Sequence, residues 1–374
     1  MTTTDPIANI TRGIAERSEF GMVILSPDNG RVHRRLVYLD SYGGEAMWKK
    51  VKQGLVAPHH LRGCLELVRM GYEVALAEPL PDFWTFRRRP FPHDLRLWKM
   101  VRCWLGREGI IFCGHNVLVW MPLLKAVGLV RCHIVSNIFG CEELPLSRSH
   151  SGIITLTPPG ATHARKLAPK VKVAHLGWGA DLSVFPKLSY QPDAFFSCGI
   201  TLRDHHTLSV AAARCRHRIQ VVLPGVDDTI RWPSNVAIVD GGKGWNFEEK
   251  RLSYHDLLHK HYGHSAGSLL ILKNHPWVEQ TAAGFTEMIE VMAMARPIIL
   301  TKTRAFAEEV DVEKEGWGIF VPTEDAGAIA EAIIFLADNP KKAEAMGQAG
   351  RRLAEKHYNI QRFADDLHKF FESL

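Results

Sequence analysis

The chain has 374 residues, 46% of them hydrophobic, and a formal net charge of +6. That length exceeds one comfortable core and suits two domains, and so small a charge excludes a general polyanion binder unless the basic residues cluster. The seven cysteines (Cys64, Cys103, Cys113, Cys132, Cys141, Cys198, Cys215) are odd in number, widely spaced and form no C-x-x-C pair, which argues against a disulfide framework or a zinc knuckle and for a reducing, cytoplasmic setting. The opening "MTTTDPIANITRGIAERSEF" lacks the apolar stretch of a signal peptide, and no later run is long and apolar enough to span a bilayer, so any membrane contact is expected to be peripheral, at the inner face.

The first strand candidate is "RRLVYLD" (34–40), which ends in "SYGG". "HHLRGCLELVRMGY" (59–72) then places Leu61, Leu65 and Val68 on one helical stripe, and "EVALAEP" reads as the next strand. Strand, glycine-containing loop, helix and strand form the opening unit of a doubly wound parallel sheet. A helix near 94–105 leads to "GIIFCGHN" (109–116), and "RCHIVSN" (131–137) and "GIITLTP" (152–158) repeat the theme. "VKVAHLGWGADLSVFPK" (171–187) ends this half, and the proline-bracketed "PKLSYQP" (186–192) reads as a linker.

A second alternating series follows, with strand candidates "AFFSCGI" (194–200), "RIQVVLPG" (218–225), "NVAIVDGG" (235–242), "GSLLILK" (267–273), "RPIILT" (296–301) and "WGIFVP" (317–322). "DAGAIAEAIIFLADNP" (325–340) and "IQRFADDLHKFFESL" (360–374) are amphipathic helices, the latter with Phe363, Leu367, Phe370 and Phe371 on one stripe. The expected architecture is α/β, with two doubly wound Rossmann-like domains facing across a cleft: 1–187, 188–355, and a last helix, 356–374, returning to the first domain. A ligand is expected at the carboxyl ends of the strands.

Several chemistries can be set aside. There is no Walker sequence, since "DGGKGWN" (240–246) lacks the upstream glycine and the hydroxyl residue; there is no dinucleotide fingerprint, no H-E-x-x-H and no G-x-S-x-G. The trio His259, His261 and His264 in "HKHYGH" has no carboxylate or cysteine pattern beside it and reads as solvated.

"GSLLILKNHPWVEQTAAGFTEMIEVMAMARPIILT" resembles the donor-binding half of retaining glycosyltransferases of family 4, which have the two-domain GT-B fold. Their pattern is strand, acidic residue, Gly-Phe-Gly, a helix reading Glu-Ala-Met-Ala-x-Gly-x-Pro, and a strand; Glu290-Val291-Met292-Ala293, Pro297 and "IILT" match it. "HLGWGADLSVFPK", "SCGITLRDHHTL" (197–208) and "EGWGIFVPTEDAGAIAEAI" are similar to further family segments in the expected order. The resemblance covers residues 150–370 well and 34–137 in general layout. It implies a hexosyltransferase-like enzyme that uses a nucleotide-diphosphate sugar, with no bound cofactor and no metal, in keeping with the absence of an Asp-x-Asp pair.

On this reading Gly284 lets the backbone approach the donor, and Phe285 and Thr286 open the helix, with Thr286 as its cap and the free N–H groups facing the diphosphate. Glu290 would accept hydrogen bonds from the ribose hydroxyls; otherwise it is a solvated helical glutamate. Gly199 and Arg203 fall in the segment that resembles the family's phosphate-binding Gly-Arg…Lys, with Ile200 where the arginine stands and Arg203 near the lysine. Arg203 then becomes the main cation on the departing diphosphate, and Lys273 a second cation or a solvated strand end. His115 resembles a cleft histidine that meets the sugar or acceptor. The family's other glutamate, eight positions before Glu290, is replaced by Ala282, a departure that also leaves open a non-catalytic sugar-nucleotide or glycan-binding relative.

The acceptor is expected in the first domain. Arg87, Arg88 and Arg89, followed by Arg96, Lys99, Arg102 and Arg107, are interleaved with Phe83, Trp84, Phe86, Phe91, Trp98 and Trp104. Basic plus aromatic suits an anionic membrane surface, a cell-envelope lipid or glycan acceptor, or nucleic acid, as in a transferase acting on a hydroxymethylated DNA base. Alternatively, Leu97, Val101 and Trp104 are the core side of a helix whose other face is solvated.

Overall fold

The computed structural model describes residues 10–40, 42–78, 97–114, 121–140, 146–223, 229–241 and 252–374. The chain divides into two compact units, Met1–Gly177 with Ile360–Leu374, and Trp178–Asn359. The segment 186–192, expected as the linker, therefore lies within the second unit. Tyr190 holds it there: its hydroxyl donates to the Ala266 carbonyl at 2.8 Å, and its ring stands against the fully buried Arg296.

The first unit carries an eight-stranded sheet of β1 (Ile14–Glu19), β2 (Met22–Pro27), β3 (Arg34–Leu39), β4 (Tyr72–Ala77), β5 (Ile110–Gly114), β6 (His133–Ile138), β7 (Gly152–Thr155) and β8 (Lys172–His175). Its order is β1-β2-β4-β3-β5-β6-β7-β8. From β4 to β8 every pairing is parallel, and every residue of β4, β5 and β7 is buried, as expected of strands covered on both faces. The antiparallel pair β1 and β2 was not anticipated. Phe20 and Gly21, both with positive φ, make its two-residue turn, and β2 then runs antiparallel to β4.

Leu97, Met100, Val101, Trp104 and Leu105 are buried in the core of this unit, whereas Lys99 and Arg102 are exposed. That is the core-side helical stripe expected for 97–104. The last helix, Ile360–Glu372, belongs to the same unit; it buries Phe363, Leu367, Phe370 and Phe371, and Phe371 meets Phe112 of β5 at 5.6 Å between ring centroids.

The second unit is a six-stranded, wholly parallel sheet of β9 (Ala194–Ser197), β10 (Ile219–Leu223), β11 (Val236–Asp240), β12 (Ser265–Leu270), β13 (Ile298–Thr301) and β14 (Gly318–Val321). The order β11-β10-β9-β12-β13-β14 is the Rossmann order, and it reverses between β9 and β12. The helices His205–Ala213 and Ala326–Asp338 pack together, as do Phe285–Ala293 and Pro340–Lys356. The latter pair approaches so closely that a Cβ on Gly347 would lie 2.1 Å from the Ala295 carbonyl oxygen. Among the described residues no helix is long and apolar enough to cross a membrane.

Candidate donor site in the second unit

Ligands of doubly wound sheets bind outside the carboxyl ends of the strands where the order reverses. Here that place lies beyond Ser197 of β9 and Leu270 of β12. Past β12, the chain pairs back onto the loop that leaves β9: Lys273 N–H donates to the Leu202 carbonyl and Asp204 N–H to the Ile271 carbonyl, each at 2.9 Å. Asp204 in turn caps the helix His205–Ala213, accepting from Thr207 N–H at 3.0 Å and from the Thr207 hydroxyl at 2.6 Å. These two anchors fix Arg203 between them.

Arg203 is buried, and its guanidinium is held on several sides. Nε donates to the Cys198 carbonyl at 2.9 Å, Nη1 to the Thr201 carbonyl at 3.0 Å, and Nη2 to Oε2 of Glu287 at 2.8 Å. Gly199 makes room for it: φ is +98°, and a Cβ there would fall 2.3 Å from Nη2. Glu287 is equally buried and accepts the Ser268 hydroxyl on its other oxygen at 2.7 Å. Burial pushes the Glu287 carboxyl up to about 7, against the opposing pull of Arg203 and Ser268. Sequence reasoning placed Arg203 as an open cation on a leaving group; the fold gives its charge to a carboxylate 84 residues away.

Glu287 is in the first turn of the helix Phe285–Ala293, and the spacing i, i+3 sets it on the same side as Glu290. Thr286 does not cap this helix. The cap position is Gly284, whose φ of +85° is left-handed and whose missing Cβ would otherwise meet Leu270 Cδ1 at 2.8 Å. Phe285 is buried and stacks on Phe306 at 4.8 Å, so its side chain anchors the helix start in the core. The helix opens at the switch point with the dipole end that favours anions. Glu290 is buried rather than solvated and accepts the hydroxyl of the buried Tyr254 at 3.0 Å.

Lys273 is exposed, beyond the end of β12, and Ala282 is buried. His115 and Arg87, Arg88 and Arg89 lie outside the described residues. In the histidine trio, His261 bonds the Gln220 side chain at 2.9 Å and stacks on Phe196, a packing role in place of the solvated one expected. Gly199, Arg203, Gly284 and Glu290 thus gather at one end of one sheet. Glu287, Ser268 and Tyr254 complete the set and had not been singled out. For Glu287 a signal existed, three positions before Glu290 on the same helix face; for Tyr254 and Ser268 none did.

No protein-family model matches the sequence, and no curated protein sequence matches it. Solved structures do. The chain is similar to sucrose-phosphate synthase from Thermosynechococcus elongatus at 13% identity and a TM-score of 0.66, with 91% of this chain and 99% of that one covered. HepE of Anabaena in complex with UDP and glucose matches at 14% identity and a TM-score of 0.61, covering 91% and 100%. AviGT4, a glycosyltransferase involved in avilamycin A biosynthesis, matches at 16% identity and a TM-score of 0.61, covering 91% and 98%. The two parallel-sheet units have the GT-B fold of these glycosyltransferases.

Proposed function

We propose that the chain is a retaining, metal-independent glycosyltransferase whose second unit binds a nucleotide-diphosphate sugar and whose acceptor is a cell-envelope glycan or lipid. The observation that carries this reading is Glu290: a carboxylate at the switch point of a Rossmann-ordered sheet, oriented by Tyr254, on a helix that a left-handed glycine starts. A carboxylate so placed accepts from the two adjacent hydroxyls of a ribose, and the helix start meets the diphosphate with N–H groups. HepE in complex with UDP and UDP-glucose, on the same fold, makes uridine nucleotides the first donors to try.

In this reading the acceptor hydroxyl attacks the anomeric carbon as the sugar–phosphate bond breaks, and the departing phosphate takes the acceptor proton on the same face. No carboxylate base is required. Arg203, tied to Glu287, shapes the phosphate loop through the Cys198 and Thr201 carbonyls, and Lys273 supplies an exposed positive charge beside it.

A second reading, a sugar-nucleotide-binding relative without turnover, is favoured by two observations: Arg203 is neutralised by Glu287, and Ala282 stands where the resemblance calls for a carboxylate. Release of nucleoside diphosphate from a panel of donor sugars separates them. Release above the uncatalysed rate supports the enzyme; donor binding without release supports the relative; absence of both sinks the two together.

A further inference from the structure

In the first unit the strand order reverses between β3 and β5, which makes the carboxyl ends of β3, β5 and β6 the corresponding ligand position there. The register places three residues in one row at that edge: Asp40, one step beyond the Leu39–Cys113 pair, then Gly114, then its partner Asn137. Adjacent strands are about 4.8 Å apart, so the row spans about 10 Å from Asp40 to Asn137. Its centre carries no side chain. A Cβ on Gly114 would lie 2.6 Å from Oδ2 of Asp40, so the glycine is where the carboxylate leans over the row.

Asn137 is fully buried, and among the described residues neither its amide nitrogen nor its amide oxygen has a hydrogen-bond partner. Leaving such a group unpaired forfeits the hydrogen bonds it would make to water, so a buried amide with both ends unmet calls for a partner in the working molecule. The rest of the row is held firmly. Asp40 accepts the Tyr38 hydroxyl at 3.0 Å, Tyr42 N–H at 3.2 Å and Arg62 Nε at 3.1 Å. The Arg62 guanidinium also stands 4.4 Å over the ring of Phe139, two residues beyond Asn137, so it reaches along the row. Arg62 itself adopts φ +48°, an uncommon conformation for a non-glycine residue.

We infer that the Asp40–Gly114–Asn137 row is a binding site for an uncharged polyol, with the Asn137 amide bridging two neighbouring hydroxyls. The carbonyl accepts from one hydroxyl and the NH2 donates to the next, a pairing that neither a lone donor nor a lone acceptor provides. The charges of Asp40 and Arg62 compensate each other, which favours a neutral ligand over an anion. If the chain is a glycosyltransferase, this ligand is the sugar or polyol acceptor; the binding claim itself does not depend on that reading.

Saturation-transfer NMR with the full chain tests it, using the methyl glycosides of glucose, galactose, mannose and N-acetylglucosamine together with myo-inositol and glycerol. At least one member should bind the parent, and the choice among glycoside, inositol and glycerol identifies the source of the hydroxyls. Asn137→Leu, which removes the unmet polar atoms at similar volume, should melt no lower than the parent and weaken that ligand tenfold or more. Should the leucine variant fail to fold, Asn137→Ser must show the same loss. Absence of binding to every probe, or equal affinity in parent and variant, overturns the site and leaves Asn137 as an amide met by internal water. UDP binding measured on the same samples keeps the two readings apart, since its absence would count against the donor site alone.

Discussion

Arg203 and Glu287 meet at 2.8 Å with both side chains almost wholly shielded from water. Removing one member of such a pair strands a charge, whereas removing both does not. Arg203→Met or Glu287→Met alone should lower unfolding free energy by about 3–5 kcal/mol, and the double variant by clearly less than the sum. Urea titrations of the four proteins measure the coupling; additive losses would mean that the pair does not form.

Gly199→Ala should reproduce part of that damage without touching either charge. The new methyl group would fall 2.3 Å from Arg203 Nη2, and the backbone would have to hold a left-handed φ. A loss of about 2–4 kcal/mol is expected. A melting temperature equal to the parent's would show that the guanidinium lies elsewhere.

The raised pKa of Glu287 makes stability depend on pH in a known direction. With a folded value of about 7 against an ordinary 4.5, the folded state binds the proton more tightly, so this group's contribution is full below about pH 4.5 and falls as pH rises towards 7. Relative to Glu287→Gln, the parent should lose about 3 kcal/mol across that window. Denaturant unfolding of both proteins at pH 4.5, 5.5 and 7 checks the slope; a difference that is flat with pH refutes it.

Glu290→Gln retains an oxygen that can accept the Tyr254 hydroxyl, so the fold should be nearly unchanged while a ribose loses one charged acceptor. Affinity for UDP or the donor that proves active should fall by about 1–3 kcal/mol in calorimetry. Unaltered affinity removes Glu290 from the donor site.

Because the sequence has no Asp-x-Asp pair, donor turnover should persist in excess chelator. Loss of nucleotide release on chelation, restored by manganese, would contradict the proposed metal-independent chemistry.

The parallel strands were legible because each is a short, nearly continuous apolar run between turn residues, as in "RRLVYLD" and "GSLLILK". β1 was not, since "IAERSE" carries charges at half its positions. Its place depends on partners distant in the chain: Arg17 pairs with Glu73 of β4, and Glu16 accepts the Trp48 indole N–H at 2.8 Å. Glycines were the most dependable guide to the site, because Gly199 and Gly284 mark close approaches that only a missing Cβ allows. The charge state of the site was hidden for the opposite reason. Whether Arg203 faces a ligand or a carboxylate depends on Glu287, and only the sheet order that brings β9 beside β12 makes them neighbours. The cap of the Phe285–Ala293 helix was misassigned because Thr286 has the side chain for the task, whereas a left-handed glycine had already turned the chain into the helix.

The helix Ile360–Glu372 closes the first unit although the whole second unit intervenes in the sequence. Arg34 Nη1 donates to the Phe371 carbonyl at 2.7 Å, and the Tyr72 hydroxyl meets His368 Nδ1 at 2.9 Å, so β3 and β4 wait for a helix made only after the second unit. On a ribosome delivering about 5–20 residues per second, 178–359 is complete, and free to fold, before the unit that began first has its final helix. During that interval Tyr72 of β4 and Phe112 of β5, which the Phe371 ring later meets, lack that cover. A stall or a nick between Asn359 and Ile360 would therefore leave the first unit short of a core helix while sparing the second.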